Sequence, residues 1–114
     1  MSLGIEYMDG LKYMLIRFWI RDGEREYNKL VICNKDNFPH TYIGNDGRIS
    51  NFGCKQLIKM YISDDATEYE DDDWYTNMYW VYDTEALCRI ERCHLISHET
   101  KELLNNMGVY YSEY

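Results

Sequence analysis

The sequence predicts a small α+β domain: an antiparallel sheet of two hairpins, about four to five strands, with two helices packed on one face. Three observations predict it. Period-two alternation from Lys12 to Arg21 stops at Asp22-Gly23 and is followed by a second apolar run from Arg25. Another alternating run, Trp74 to Tyr82, turns at Asp83-Thr84-Glu85 into Ala86 to Ile96. After each hairpin comes a stretch whose apolar residues recur at helical spacing. A chain of 114 residues, 46% of them hydrophobic, suits one domain over residues 1–114 with a single modest core. A lone proline and 16% aromatics argue against general disorder.

In the first strand Met14, Ile16, Phe18 and Ile20 share one face, with Tyr13, Leu15, Arg17, Trp19 and Arg21 on the other. Asp22-Gly23 is a strong hairpin signal, and Arg25 to Cys33 returns with Tyr27, Leu30, Val31 and Ile32. A two-residue loop pairs Arg21 with Glu24; a three-residue loop pairs Ile16 with Leu30 and Met14 with Ile32. Asn34 to Pro39 reads as a loop, and Thr41 to Ser50 folds about Asn45-Asp46-Gly47 as a small hairpin or turn. Asn51 is the expected cap of a helix that buries Cys54, Leu57, Ile58, Tyr61 and Ile62, with Gly53 weakening its start.

The next ten positions, Asp64 to Asp73, hold seven carboxylates and no apolar face, so they read as exposed loop. In the aromatic strand that follows, Trp74, Thr76, Met78, Trp80 and Tyr82 lie on one face and Tyr75, Asn77, Tyr79 and Val81 on the other, and one of these faces must be core. Ser97 caps the closing helix, in which Thr100, Leu103, Leu104 and Met107 form one stripe and Gly108 stands at the stop. Val109 to Tyr114 then either adds an edge strand or frays.

Charge is concentrated in one segment. Between Lys59 and Arg89 there are nine carboxylates and no basic residue, which accounts for essentially all of the net charge of -8. That balance disfavours attraction to nucleic acid or anionic lipid, so direct nucleic-acid binding is not expected. Lys12, Arg17, Arg21, Arg25 and Lys29 all fall in the first third, which polarises the molecule. No apolar run approaches the roughly 20 residues a membrane span needs, and Met1 to Tyr7 lacks the basic and apolar regions of a secretion signal. A cytoplasmic location is the expectation.

Reactive residue types are present in weak patterns. Cys33, Cys54, Cys88 and Cys93 lack the spacing of a disulfide scaffold and read as small buried side chains. Cys88, Cys93, His94 and His98 fall within eleven residues. Strict strand alternation nonetheless puts Cys88 and His94 on one face and Cys93 on the other, so they do not gather about one tetrahedral ion. Neighbouring Cys93 and His94 point oppositely and make no thiolate-base pair. Asp71, Asp72 and Asp73 are oxygen donors without the glycine and closing acid of an EF-hand loop. No metal or cofactor is expected.

The acid block is the leading feature. An extended chain advances about 3.3 Å per residue, so a nearly all-acid stretch approaches the charge density of one DNA strand. The expectation is a non-enzymatic acidic binding protein that engages a basic protein such as a nuclease. Its most specific form is a DNA mimic that inhibits a nucleic-acid enzyme, of the anti-restriction, anti-CRISPR or immunity type found on mobile elements. The expected partner-binding residues are Asp64, Asp65, Glu68, Glu70, Asp71, Asp72, Asp73, Trp74 and Tyr75. The bland reading is a solvated loop. A structural homodimer formed through the aromatic face is an alternative, and an enzyme using Cys93, His94, His98 or metal-bound carboxylates is another.

Overall fold

A computed structural model of the chain describes residues 10–43, 48–69 and 78–114. Its centre is strand β1 (Leu11–Asp22), which pairs antiparallel on one side with β2 (Arg25–Asn34) and on the other with β5 (Ala86–Ser97). The six-stranded sheet runs β3-β4-β5-β1-β2-β6, where β3 is Thr67–Glu68, β4 is Tyr79–Val81 and β6 is Ser112–Glu113. Every pairing is antiparallel except β2 with β6. The α+β architecture and the presence of two hairpins match the sequence expectation, with the tail supplying the extra edge strand; of the expected strand Trp74 to Tyr82, Tyr79–Val81 forms β4, residues 74–77 lie outside the described residues, and Tyr82 joins the turn.

Alternation in β1 decides the core. Met14, Ile16, Phe18 and Ile20 are all buried on one face and meet Val31, Cys33, Cys88 and Val81 from the neighbouring strands. The hairpin register differs from both expected ones. Asp22 pairs with Arg25 and Ile16 with Val31, so the two-residue loop is Gly23-Glu24, displaced by one residue from Asp22-Gly23. Gly23 has φ +63° and Glu24 does not share a positive φ, which places glycine at the first central position of a II′-type turn, whose twist suits the flanking strands. Pairing Ile16 with Val31 puts two fully buried β-branched residues opposite each other on the core face.

Helix α1 (Asn51–Tyr61) lies over this face and buries Gly53 together with Cys54, Leu57, Ile58 and Tyr61 of the predicted stripe, whose fifth member, Ile62, is half-buried just past its end. Its cap is Ser50, one residue before the expected Asn51: the hydroxyl accepts from the Gly53 amide at 3.0 Å. At the other end Lys29 Nζ donates to the Tyr61 carbonyl at 3.0 Å, setting a cation at the negative pole of the helix. Ahead of the helix, Lys35–Asn37 and His40–Tyr42 form short 3-10 turns, and an antiparallel bridge from Ile43 to Ile49 brings the chain back. The expected turn at Asn45-Asp46-Gly47 falls outside the described residues.

Helix α2 (His98–Asn106) behaves differently. Ser97 caps it as predicted, and it closes with paired bonds from the Val109 amide to the Leu104 carbonyl and from the Gly108 amide to the Asn105 carbonyl. With Gly108 at φ +76°, this is a Schellman stop. Yet α2 buries no residue. It rests against Tyr13, where Lys101 Nζ lies 4.5 Å from the ring centroid, and Tyr13 alternates with core residue Met14. The expected common face therefore holds for α1 alone, and α2 covers one end of the reverse face, where Ile32 and Ile96 are buried. Of the predicted stripe, Leu103 and Met107 are 56% and 67% exposed, because Lys101 reaches over to Glu113 of β6 and turns the Lys101-Leu104 side inward instead.

Gly53 yields the sharpest stability prediction. A Cβ built there lies 2.7 Å from both Cβ and the carbonyl oxygen of Tyr42, and the oxygen belongs to the backbone, which cannot swing away. Helix propensity alone favours alanine by about 1 kcal/mol. Overpacking should outweigh it, so Gly53→Ala is expected to lose about 1–3 kcal/mol in urea denaturation.

Candidate partner surface at the sheet edge

The acid block begins where α1 ends, and its described members have different roles. Asp64 and Glu68 are exposed. Asp65 is a brace: its carboxylate accepts from Ser63 Oγ at 2.7 Å and from the Asp83 amide at 2.8 Å, which ties the loop after α1 to the turn between β4 and β5. These bonds favour the charged form, so the Ser63 hydroxyl first, and the Asp83 amide after it, hold the Asp65 carboxyl below the usual carboxylate range. Asp65 is thus committed within the fold. Glu70, Asp71, Asp72, Asp73, Trp74 and Tyr75 lie outside the described residues.

Beside the loop the sheet thins to its two shortest neighbouring strands. Thr67 pairs with Trp80 and Glu68 with Tyr79, so β3 includes residues expected to be pure loop. In β4 the core face is Tyr79 and Val81, both buried; the Tyr79 hydroxyl donates to the Asn51 carbonyl at 3.1 Å, which locks this ring under α1. Trp80 and Tyr82 point the other way. Tyr82 is 61% exposed and meets Trp80 edge-on with centroids 6.4 Å apart, while Tyr69 lies 6.4 Å from Trp80 on its other flank. Asp83 and Glu85, both exposed, follow Tyr82 in the turn to β5, whereas Glu68, paired with Tyr79, lies on the face opposite these rings.

Trp80, Tyr82 and Asp83 were not among the sequence-derived partner residues. A signal for them existed: aliphatic Val81 marks its own face as core, and Trp80 and Tyr82 must then face outward.

The reactive side chains are separated. A β-bulge at Glu91 inserts one residue opposite β1, so Phe18 pairs with Ile90 while Arg17 pairs with Arg92. Cys93 consequently shares the core face with Cys88, opposite Ile16, and His94 pairs with Leu15 on the reverse face. The strict alternation expected from sequence, with Cys88 and His94 together, fails at that inserted residue. Cys93 and His94 do diverge as expected. Burial pushes the Cys88 and Cys93 thiols up to about 12, and burial raises Cys33 and Cys54 as well. All four are free. His98 sits on α2 with Nε2 3.8 Å from Glu102, and no group of three potential metal ligands occurs among the described residues. No helix among those residues is long and apolar enough to cross a membrane.

Comparison with family models, curated proteins and solved structures finds no match to this chain.

Two outcomes follow from these environments. A carboxyl whose folded pKa is depressed contributes stability that is present above its unfolded pKa, about 3.9, and lost as pH falls through the folded value. Melting temperature against pH should therefore fall more steeply on the acid side for the wild type than for Asp65→Asn, which has no proton to bind there. With thiols this poorly ionised, alkylation of the native protein by iodoacetamide near pH 8 should be much slower than that of a free cysteine of pKa about 8.5, and unfolding should release all four.

Proposed function

We propose that this chain is a non-enzymatic acidic binding protein that engages a basic partner through the β3–β4 edge. The observation that carries the reading is the aromatic cluster of Tyr69, Trp80 and Tyr82 at an edge whose exposed carboxylates are Asp64, Glu68, Asp83 and Glu85. Exposed rings are common anchors of interfaces, and a rim of one charge sign steers a partner of the other. The carboxylates Glu70, Asp71, Asp72 and Asp73, with Trp74 and Tyr75, adjoin this edge in sequence and carry the same kinds of group. In its most specific form the protein is a DNA mimic that occupies the basic groove of a nuclease, as an anti-restriction, anti-CRISPR or immunity protein does.

Opposite charges across such an interface act mainly on the rate of association. Pull-down from a host lysate should recover a basic nucleic-acid enzyme, with an affinity that drops steeply as salt rises. Replacing Asp71, Asp72 and Asp73 by Asn should slow association, whereas Tyr82→Ala should mainly speed dissociation and cost about 1–3 kcal/mol of binding. Binding indifferent to salt, or no basic partner, would sink the proposal.

A homodimer is the second reading. It draws on Leu103, Met107 and Tyr110, apolar or aromatic side chains of α2 and the following tail that remain largely exposed.

A further inference from the structure

We infer that the shallow groove on the reverse face of the sheet, between Arg17 and Arg92, binds the phosphate group of a small organic phosphate. Arg17 of β1 and Arg92 of β5 are direct cross-strand partners. Like charges placed directly opposite each other destabilise a sheet, and an anion bound between them would relieve that repulsion. None is supplied by the described residues: neither arginine makes an ion pair with any of them.

Their neighbours on the same face are engaged elsewhere. Arg89 pairs with Glu91 at 2.9 Å and lies 5.0 Å from the centroid of Trp19, while Arg21 Nε donates to the Gly23 carbonyl. Among the described arginines of this face, Arg17 and Arg92 are the two left to a ligand.

Between them is a groove of about 380 Å³ lined by Leu15, Arg17, Asn28, Leu30, Arg92 and His94. That is within the size range of small-molecule sites, roughly 300–1,000 Å³. No carboxylate is among these lining residues. Guanidinium forks match phosphate oxygens bidentately, so two of them suit a dianion better than a carboxylate. Asn28 and His94 add hydrogen-bonding groups, and Leu15 and Leu30 give the ligand's body an apolar wall. A net charge of -8 repels a long polyanion, which favours a small phosphate over a nucleic-acid strand. The groove spans β5, β1 and β2 and is independent of the acidic edge at β3 and β4.

The test is calorimetric titration of the full chain with adenosine monophosphate at low ionic strength, with an oligothymidylate strand as a second probe. Saturable one-to-one binding with Kd of about 1 mM or tighter is expected, weakened at least about tenfold by Arg17→Gln or Arg92→Gln and less than about twofold by Arg21→Gln. Absence of saturation overturns the inference, as does an equal loss in Arg21→Gln. A strand bound about a hundredfold more tightly than the nucleotide would assign the face to nucleic acid instead. Melting of the unmutated chain is a separate check: adenosine monophosphate should raise the melting temperature and adenosine, which lacks the phosphate, should not. An equal rise with adenosine removes the phosphate from the argument whatever the variants do.

Discussion

Two-sided pairing of β1 is the constraint on which the rest of this structure depends. Along almost its whole length β1 is hydrogen-bonded to β2 on one edge and to β5 on the other, so the two hairpins meet only through it. A one-residue slip would turn Ile16 and Phe18 to the reverse face and carry arginines into the core. The buried row of Met14, Ile16, Phe18 and Ile20 makes that slip prohibitive, and α1 completes the enclosure from above.

From that strand outward, charge is sorted by geometry. Acidic groups collect at the β3–β4 edge, because the chain there leaves α1, makes two residues of strand and returns as β4 with its aromatic side outward. Basic groups collect on the reverse face of β1 and β5, where Arg17, Trp19 and Arg21 alternate with the core row and meet Arg92, Arg89 and Leu87. The acidic feature comes from one segment of the sequence, whereas the basic one is assembled from two strands far apart in it. The bulge at Glu91 is what aligns Arg92 with Arg17 and turns Cys93 inward, so one inserted residue both lines the basic groove and sets a half-buried thiol against the core.

These two surfaces suggest a division of labour. Described carboxylates of the acidic edge divide into Asp65, which braces the loop, and Asp64, Glu68, Asp83 and Glu85, which are exposed. The thiols offer little chemistry at neutral pH, since burial keeps them protonated.

Local patterns made most elements legible in the sequence. Alternation from Met14 to Ile20, the glycine turn, the stripe of Cys54, Leu57, Ile58 and Tyr61, and the Ser97 cap with its Gly108 stop each follow from short-range sterics and hydrogen bonding, which neighbouring residues dictate. The acidic block was equally plain, being a matter of composition. Tertiary structure alone decided the rest. A shift of the turn by one residue, the extra residue at Glu91, the close approach of Tyr42 to Gly53 and the placement of α2 on the reverse face all depend on contacts between segments far apart in the chain. The same holds for the candidate surfaces: Asp65 reads as one acid among seven until Asp83, eighteen residues away, donates to it, and Arg17 and Arg92 become a pair only when two strands are laid side by side. Periodicity reports which side of its own element a residue occupies, and only packing determines what it faces.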